Sequence, residues 1–358
     1  MLIKQINGIE KNMLTALIMA GGRGTRFWPA STEEKPKQFL NLIGEKTMIQ
    51  ETVNRLLPLM DLERIFICTE TKYKDLCLEQ LPELPERNII VEPMGRNTAP
   101  CILLSTLYIK QIYDGANVIV LPSDHQINDE PEFLSVIADA NQYIDGKDGI
   151  ITIGIAPNRP ETGYGYINFN ETVDIVNTHE VKNVKHFVEK PNVEVAQQYL
   201  DDGHYLWNAG MFMFNVDFMK TQYELYARET YKILTSLPAI EAPDYMDELE
   251  TKYAACESIS VDFAIMEKSD KLFVVPADFG WDDIGAWKAL ERYLSEDEQG
   301  NITKGEVRAE NSKNNTIFTT TRPVVLLDAD DLFIIETEER IVVGKRDSLS
   351  RVHELRNK

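Results

Sequence analysis

The sequence predicts an α/β protein: a doubly wound, mostly parallel, Rossmann-like sheet followed by a small C-terminal β domain. Three observations carry that prediction. Short continuous apolar runs alternate with helix-period segments through the first half. A glycine-rich loop directly follows the first apolar run, where phosphates bind in such folds. Beyond Gly300 the composition changes to short strands punctuated by turn residues.

Taken in order, residues 14–20 predict a strand and 47–60 carry apolar residues at helical spacing. Strands follow at 65–69, 88–91 and 118–121, with helices after them ending near Leu81-Pro82, over 98–112 and over 131–144. Continuous apolar strands of this kind are buried on both faces, as in a parallel sheet. From about residue 150 the pattern is mixed. Strands are expected at 150–155, 164–169, 184–188 and 211–216, and helices at 194–200, 218–234 and 282–294. Strands at 316–320, 324–327, 332–336 and 340–343 build the small domain, with Asn314-Asn315 and residues 328–331 at its turns. The expected organisation is therefore an extension over 1–12, a large domain over 13–299 and a small β domain over 300–358.

The 358 residues suffice for those two domains, and no apolar run approaches a membrane span. The first twelve residues do not resemble a secretory signal, so a cytoplasmic protein is expected. Net charge is −21, from 58 acidic and 37 basic residues, which argues against a nucleic-acid or anionic-membrane binder. A local pocket for an anionic small ligand is still allowed. Cys68, Cys77, Cys101 and Cys256 show no metal-ligand spacing and read as small buried hydrophobes.

The most informative segment is Ala20-Gly21-Gly22-Arg23-Gly24-Thr25-Arg26-Phe27-Trp28-Pro29. Its glycines let backbone amides approach one anion. Arg23, Arg26, Lys35 and Lys37 add charge-assisted donors suited to phosphate oxygens. Arg26 and Lys37 are expected to be exposed, so that their loss spares the fold. A Walker A loop would need Gly-Lys before Ser or Thr, and a dinucleotide fingerprint would need glycine in place of Phe27. Neither fits.

That loop, extended through Ala30-Ser31 and followed by Lys35-Pro36-Lys37-Gln38-Phe39-Leu40, resembles the signature of the sugar-nucleotide pyrophosphorylases. Its Phe-Trp-Pro and Pro-Lys-Gln-Phe variants resemble the mannose-1-phosphate guanylyltransferase branch. Further segments match in the family's order, over roughly residues 14–346. Glu92-Pro93-Met94-Gly95-Arg96-Asn97-Thr98 resembles a nucleoside-binding segment, although Asn97 and Thr98 also suit a helix cap. Leu121-Pro122-Ser123-Asp124-His125 lies at the carboxyl end of a strand, where open α/β sheets bind ligands. Glu161-Thr162-Gly163-Tyr164-Gly165 resembles a sugar-contacting turn, and Glu189-Lys190-Pro191 resembles a Glu-Lys-Pro motif. Asn208 matches a second sugar contact. Residues 260–267 read mainly as packing, with Asp262 a helix cap. In Gly280-Trp281-Asp282-Asp283-Ile284-Gly285, Asp283 aligns with a metal carboxylate and Asp282 with a variable position.

The resemblance implies transfer of GMP from GTP to mannose 1-phosphate, giving GDP-mannose and pyrophosphate. It implies catalytic Arg26, Lys37 and Lys190, and nucleotide contacts from Gly21, Gly22, Arg23, Gly24, Thr25, Asn97, Thr98, Pro122 and Ser123. Gly165, Glu189, Lys190 and Asn208 are implied to hold the sugar phosphate, and Asp124 and Asp283 to hold Mg²⁺. It further implies a chain without a fused isomerase domain and a homodimer through the small domain. Rival readings are the same chemistry with another sugar phosphate or nucleotide, a GT-A-like glycosyltransferase, and a non-catalytic nucleotide-sugar-binding regulator.

Overall fold

The computed structural model describes residues 13–22 and 24–357. The expected extension over residues 1–12, and Arg23 of the glycine-rich loop, lie outside the described residues. No helix among those described is long and apolar enough to cross a membrane. The chain divides into two compact units, one of residues 13–21, 52–123 and 127–281, the other of residues 22–51, 124–126 and 282–357.

The first unit is built on a nine-stranded sheet of β1 (Leu14–Met19), β2 (Ile65–Glu70), β3 (Ile89–Glu92), β4 (Asn117–Pro122), β5 (Ile150–Ile155), β6 (Tyr166–Val176), β7 (His179–Val188), β8 (Tyr205–Asn215) and β9 (Leu272–Ala277). Their spatial order is β3-β2-β1-β4-β8-β5-β9-β7-β6. β2 and β5 are buried along their whole length, as continuous apolar runs require when both faces are covered. β1 pairs in parallel with β2 and β4, and β2 with β3. Helices Thr98–Ile112 and Val216–Tyr226 pack over the sheet, burying Ile102, Leu103, Phe214 and Tyr223 in one core. Met19 lies opposite Pro122, and the Ser123 amide donates to the Met19 carbonyl at 3.1 Å. Gly21 and Ser123 therefore leave the sheet at the same end.

Two departures from the expected elements have local causes. β8 runs antiparallel between β4 and β5, because an apolar run reports burial and not direction. The helix expected over 218–234 breaks at Ala227, whose φ of −133° and ψ of 51° leave the helical region.

The hairpin of β6 and β7 is anchored to helix Glu130–Ile144. His179 Nδ1 lies 2.7 Å from Asp139 and its Nε2 lies 3.0 Å from Glu132. Asn177 at the turn also donates to Asp139, at 2.6 Å.

The second unit contains the small β region: β10 (Ser295–Glu296), β11 (Ile302–Lys304), β12 (Val307–Glu310), β13 (Thr316–Thr319), β14 (Val324–Leu327), β15 (Leu332–Glu336) and β16 (Ile341–Lys345). β11, β13 and β15 pair in parallel, as do β12 and β14, so the chain coils through two parallel faces. Asn311, Asn314, Asp328 and Asp331 take positive φ at the corners, a conformation these short polar side chains tolerate. Inside the coil Asn315 donates to Asn301 at 2.9 Å, and Asn301 to the Ser312 carbonyl at 2.9 Å. The core of this unit packs Phe27, Trp287 and Phe318 against one another as tilted rings, with successive centroids 5.3 and 4.8 Å apart. Trp287 Nε1 donates to the Trp28 carbonyl at 2.9 Å.

Burial opposes charge on His179, but its bonds to Glu132 and Asp139 outweigh that and raise its pKa. A raised folded pKa supplies stability that is complete below the unfolded value of about 6.5 and is lost as pH climbs through the folded value. Thermal melts from pH 6 to 9 should show the wild-type Tm declining across that window while His179→Gln stays flatter. Parallel curves would mean that the imidazole is neutral in the fold.

Candidate functional site

In the second unit, Gly24 has a φ of 53° and opens the turn Thr25–Phe27. A Cβ added there would stand 2.4 Å from Lys37 Cβ and 2.7 Å from Lys37 N, so only glycine fits beside Lys37. The Gly22 carbonyl accepts from Gln38 at 3.0 Å and the Gly24 carbonyl from Ser31 at 2.7 Å. Both bonds hold the loop from within its own unit.

Lys37 is 4% exposed, which corrects the expectation of a solvent-facing lysine. Its Nζ donates to the Asp124 carbonyl at 2.9 Å and the Asp283 carbonyl at 2.6 Å, and lies 3.0 Å from the Asp124 carboxylate. An ammonium has three donors, and all three are used. Lys37 thereby ties the backbone of the two aspartates singled out in the sequence to one ammonium group, and pairs with the carboxylate of Asp124. Burial opposes ionisation of Asp124, but the charges of Lys37, His125 and Arg26 outweigh it and hold the carboxyl low. Burial keeps His125 below its ordinary range despite Asp124 beside it.

Arg26 is exposed, as expected. A Cβ on Gly285 would meet Asp283 Oδ2 at 2.9 Å and Arg26 Nη1 at 3.3 Å, so guanidinium and carboxylate face each other across that glycine. Asp282 takes a different part. It is buried, accepts from the Ile284 amide at 2.9 Å and from Tyr293 at 3.0 Å, and pairs with Arg292. Its bond to the Ile284 amide accompanies a φ of 45° at Ile284. The helix expected over 282–294 is consequently confined to Trp287–Leu290.

In the first unit, the Glu92 carboxylate lies against the start of the loop: a Cβ on Gly21 would be 3.4 Å from Glu92 Oε2. Burial pushes Glu92 up to about 7, against hydrogen bonds from Tyr253 and Cys101. Asn97 takes a φ of 66° and its Oδ1 accepts from the Thr98 amide, while Thr98 Oγ1 accepts from Val261 N at 2.8 Å. Asn97 is exposed and Thr98 half-buried. Arg96 donates to the Ala254 carbonyl at 2.6 Å. Pro122 is half-buried, and Ser123 is buried with its carbonyl bonded to Thr52.

The remaining residues of this unit form one cluster. The Gly165 carbonyl accepts from Asn208 N at 2.8 Å, and a Cβ on Gly165 would stand 2.6 Å from Glu189 Oε2. Glu189 pairs with Lys190 at 2.7 Å, and the Lys190 side chain is 63% exposed. Asn208 spends its amide on Asp262 at 2.9 Å and on the Gly210 amide at 2.9 Å. Burial, with the charge of Glu189, raises the Asp262 pKa. Asp262 thus belongs to this carboxylate cluster, where the sequence suggested a helix cap. Its only sequence signal is an acid inside an otherwise apolar run.

The nucleotidyl transferase family model matches residues 15–300. A mannose-1-phosphate guanylyltransferase of Salmonella montevideo is 39% identical over 351 residues, covering 96% of this chain and 73% of the relative. One from Klebsiella pneumoniae is 39% identical over 339 residues, covering 94% and 71%. A crystal structure described as mannose-1-phosphate geranyltransferase from Thermus thermophilus is 30% identical, with a TM-score of 0.82 over 96% of this chain and 98% of that one.

The two neighbouring aspartates should separate by stability. Asp282→Asn weakens a buried ion pair and its hydrogen bonds, at a cost of about 1–3 kcal/mol, whereas Asp283→Asn should cost less. Denaturant unfolding of both variants checks the order. A larger loss at Asp283 would place the structural carboxylate there instead.

Proposed function

The chain belongs to the mannose-1-phosphate guanylyltransferase family of nucleotidyl transferases, and from that premise we propose that it transfers GMP from GTP to mannose 1-phosphate. The observation that carries the proposal is Lys37 holding Asp124 and Asp283 together, with Arg26 exposed beside Asp283. That combination suits a polyphosphate: cationic donors for its oxygens, and anionic oxygens for the cation that accompanies it.

An oxygen of mannose 1-phosphate attacks the α-phosphorus of GTP. The new O–P bond forms as the bond to the β-phosphate breaks, and pyrophosphate leaves with that electron pair. The nucleophile needs no base, because a phosphate monoester has a second pKa of about 6. What the chain must supply is position and charge compensation for two anions. In this reading Gly21, Gly22, Gly24 and Thr25 present the loop backbone to the triphosphate, and Arg26 neutralises the leaving group. Asn97, Thr98, Pro122 and Ser123 line the nucleoside. Glu189 and Asn208, set by Gly165, accept from sugar hydroxyls, and the exposed Lys190 ammonium takes the sugar phosphate.

The donor set of Asp124 and Asp283 is hard oxygen, which fits Mg²⁺. The ion would supply further neutralisation of the polyphosphate. Lys37, with its three donors already engaged, acts as a positioning residue for Asp124, through its carboxylate and carbonyl, and for Asp283, through its backbone carbonyl. The chemistry is assigned to residues 13–299, in a cytoplasmic protein, and none to the β coil beyond them.

Two measurements test this. Arg26→Ala should lower kcat by on the order of 10²–10³, the cost of one preorganised transition-state donor, with Tm unchanged. Lys37→Ala should lower both activity and Tm, since it leaves two carbonyls and a carboxylate without their donor; an unaltered Tm would return Lys37 to a purely ligand-facing role. For specificity, kcat/KM across nucleotides should favour GTP over ATP and UTP more strictly than mannose 1-phosphate over glucose 1-phosphate. The base differs in several hydrogen-bonding groups, whereas the sugars differ in one hydroxyl, worth ~1–3 kcal/mol. Equal use of UTP and GTP would overturn the choice of base and leave nucleotidyl transfer standing.

A further inference from the structure

Cys68, Glu92 and Cys101 are far apart in the sequence, yet the parallel sheet assembles them. Cys68 lies in β2 opposite Ile90 of β3, Glu92 is the last residue of β3, and Cys101 sits in the first turns of helix Thr98–Ile112. One ligand atom from each, two thiol sulfurs and a carboxylate oxygen, lie within 4.8 Å of one another, and all three residues are buried. Among the described residues this is the one grouping of three metal-ligating side chains that close.

The carboxylate is oriented from outside the cluster. Tyr253 donates its hydroxyl to Glu92 Oε1, orienting the carboxylate as outer partners of metal ligands do. A hydrogen bond to Cys68, burial and the neighbouring Glu92 charge hold the Cys101 thiol well above its ordinary range, so a cation must displace its proton. Ser105, one turn further along the same helix, is fully buried beside Cys68, where its hydroxyl favours the thiolate of that residue.

We propose that Cys68, Cys101 and Glu92 form a binding site for a soft divalent cation of the Zn²⁺ or Cd²⁺ type. Two sulfurs and one carboxylate oxygen match the donor preference of such ions and not that of Mg²⁺, which takes oxygen. Binding replaces the two thiol protons, so two protons leave for each cation bound, with a third from Glu92 wherever its carboxyl is protonated. The site is chemically distinct from the Asp124–Asp283 pair and stands whether or not that pair binds Mg²⁺. Because Gly21 lies against Glu92, an occupied site draws on a carboxylate that borders the first residue of the glycine-rich loop.

The test titrates the reduced, full chain with Cd²⁺ and reads the ultraviolet thiolate-to-cadmium charge-transfer band together with proton release. One equivalent should bind, releasing two to three protons, and millimolar Mg²⁺ should not displace it. Cys68→Ala and Cys101→Ala should each weaken binding at least tenfold and diminish the band, while Cys256→Ala should leave both unchanged. If either cysteine variant fails to fold, as judged by circular dichroism, Glu92→Gln keeps both thiols and the side-chain shape. It should retain the band and bind on the order of ten- to a hundredfold more weakly. A band that survives loss of both Cys68 and Cys101, displacement by Mg²⁺, or full affinity in Glu92→Gln overturns the site.

Discussion

A buried ammonium group organises the second unit. Lys37 removes its charge from water, which is tolerable only if every donor finds an acceptor. It finds three: the carbonyls of Asp124 and Asp283 and the carboxylate of Asp124. Those acceptors come from chain segments that are distant in sequence, so one side chain fastens the loop of residues 22–51, the short stretch 124–126 and the chain from 282 onward. The glycine at position 24 follows from the same constraint, because Lys37 occupies the space a Cβ would need. The arrangement of Asp283 toward Arg26 then depends on Asp282, which is committed to Arg292, Tyr293 and the Ile284 amide.

The first unit solves a different problem. Its central strands β2 and β5 are buried along their whole length, and a polar side chain inside them must find a partner, as Thr152 does in the Met211 carbonyl. The parallel register places Gly21 and Ser123 at one end of the sheet, and Glu92 is brought against Gly21 from β3. Around Gly165 the close approach of Glu189 excludes any side chain, and Asn208 ties that turn to Asp262. Crowding of carboxylates at Glu189 and Asp262 is a cost in the absence of a partner, since burial and like charge both raise the Asp262 pKa. Such a cluster is suited to accepting hydrogen bonds from hydroxyl groups.

Much of this is legible in the chain. Strand–helix alternation predicts the sheet, and the long glycine-rich motif predicts the family, because a loop that must place backbone against an anion tolerates few substitutions. Asp124 and Asp283 stand out in the sequence, and Lys37 binds the backbone carbonyl of each. Less legible are directions and breaks. The antiparallel course of β8 carries no compositional mark, and the break at Ala227 falls between two segments that each keep a helical period. Lys37 reads as a surface residue because lysine usually is one; no feature of a Pro-Lys-Gln-Phe stretch announces three acceptors arriving from elsewhere.

What the sequence determined by itself is whatever depends on neighbours along the chain: burial periodicity, the conformational freedom of glycines, and the Asn and Asp corners of the β coil. The tertiary structure alone decided which polar groups share a space. Asp282 became structural because Arg292 and Tyr293 fold back onto it, while Asp283, one residue on, faces Arg26. Asp262 joined Asn208, and Cys68 joined Cys101 and Glu92, across 54 and 33 residues of chain. The physical reason is range. Hydrogen bonds and ion pairs act over a few ångströms, so their partners are set by strand order and register, which no local pattern encodes.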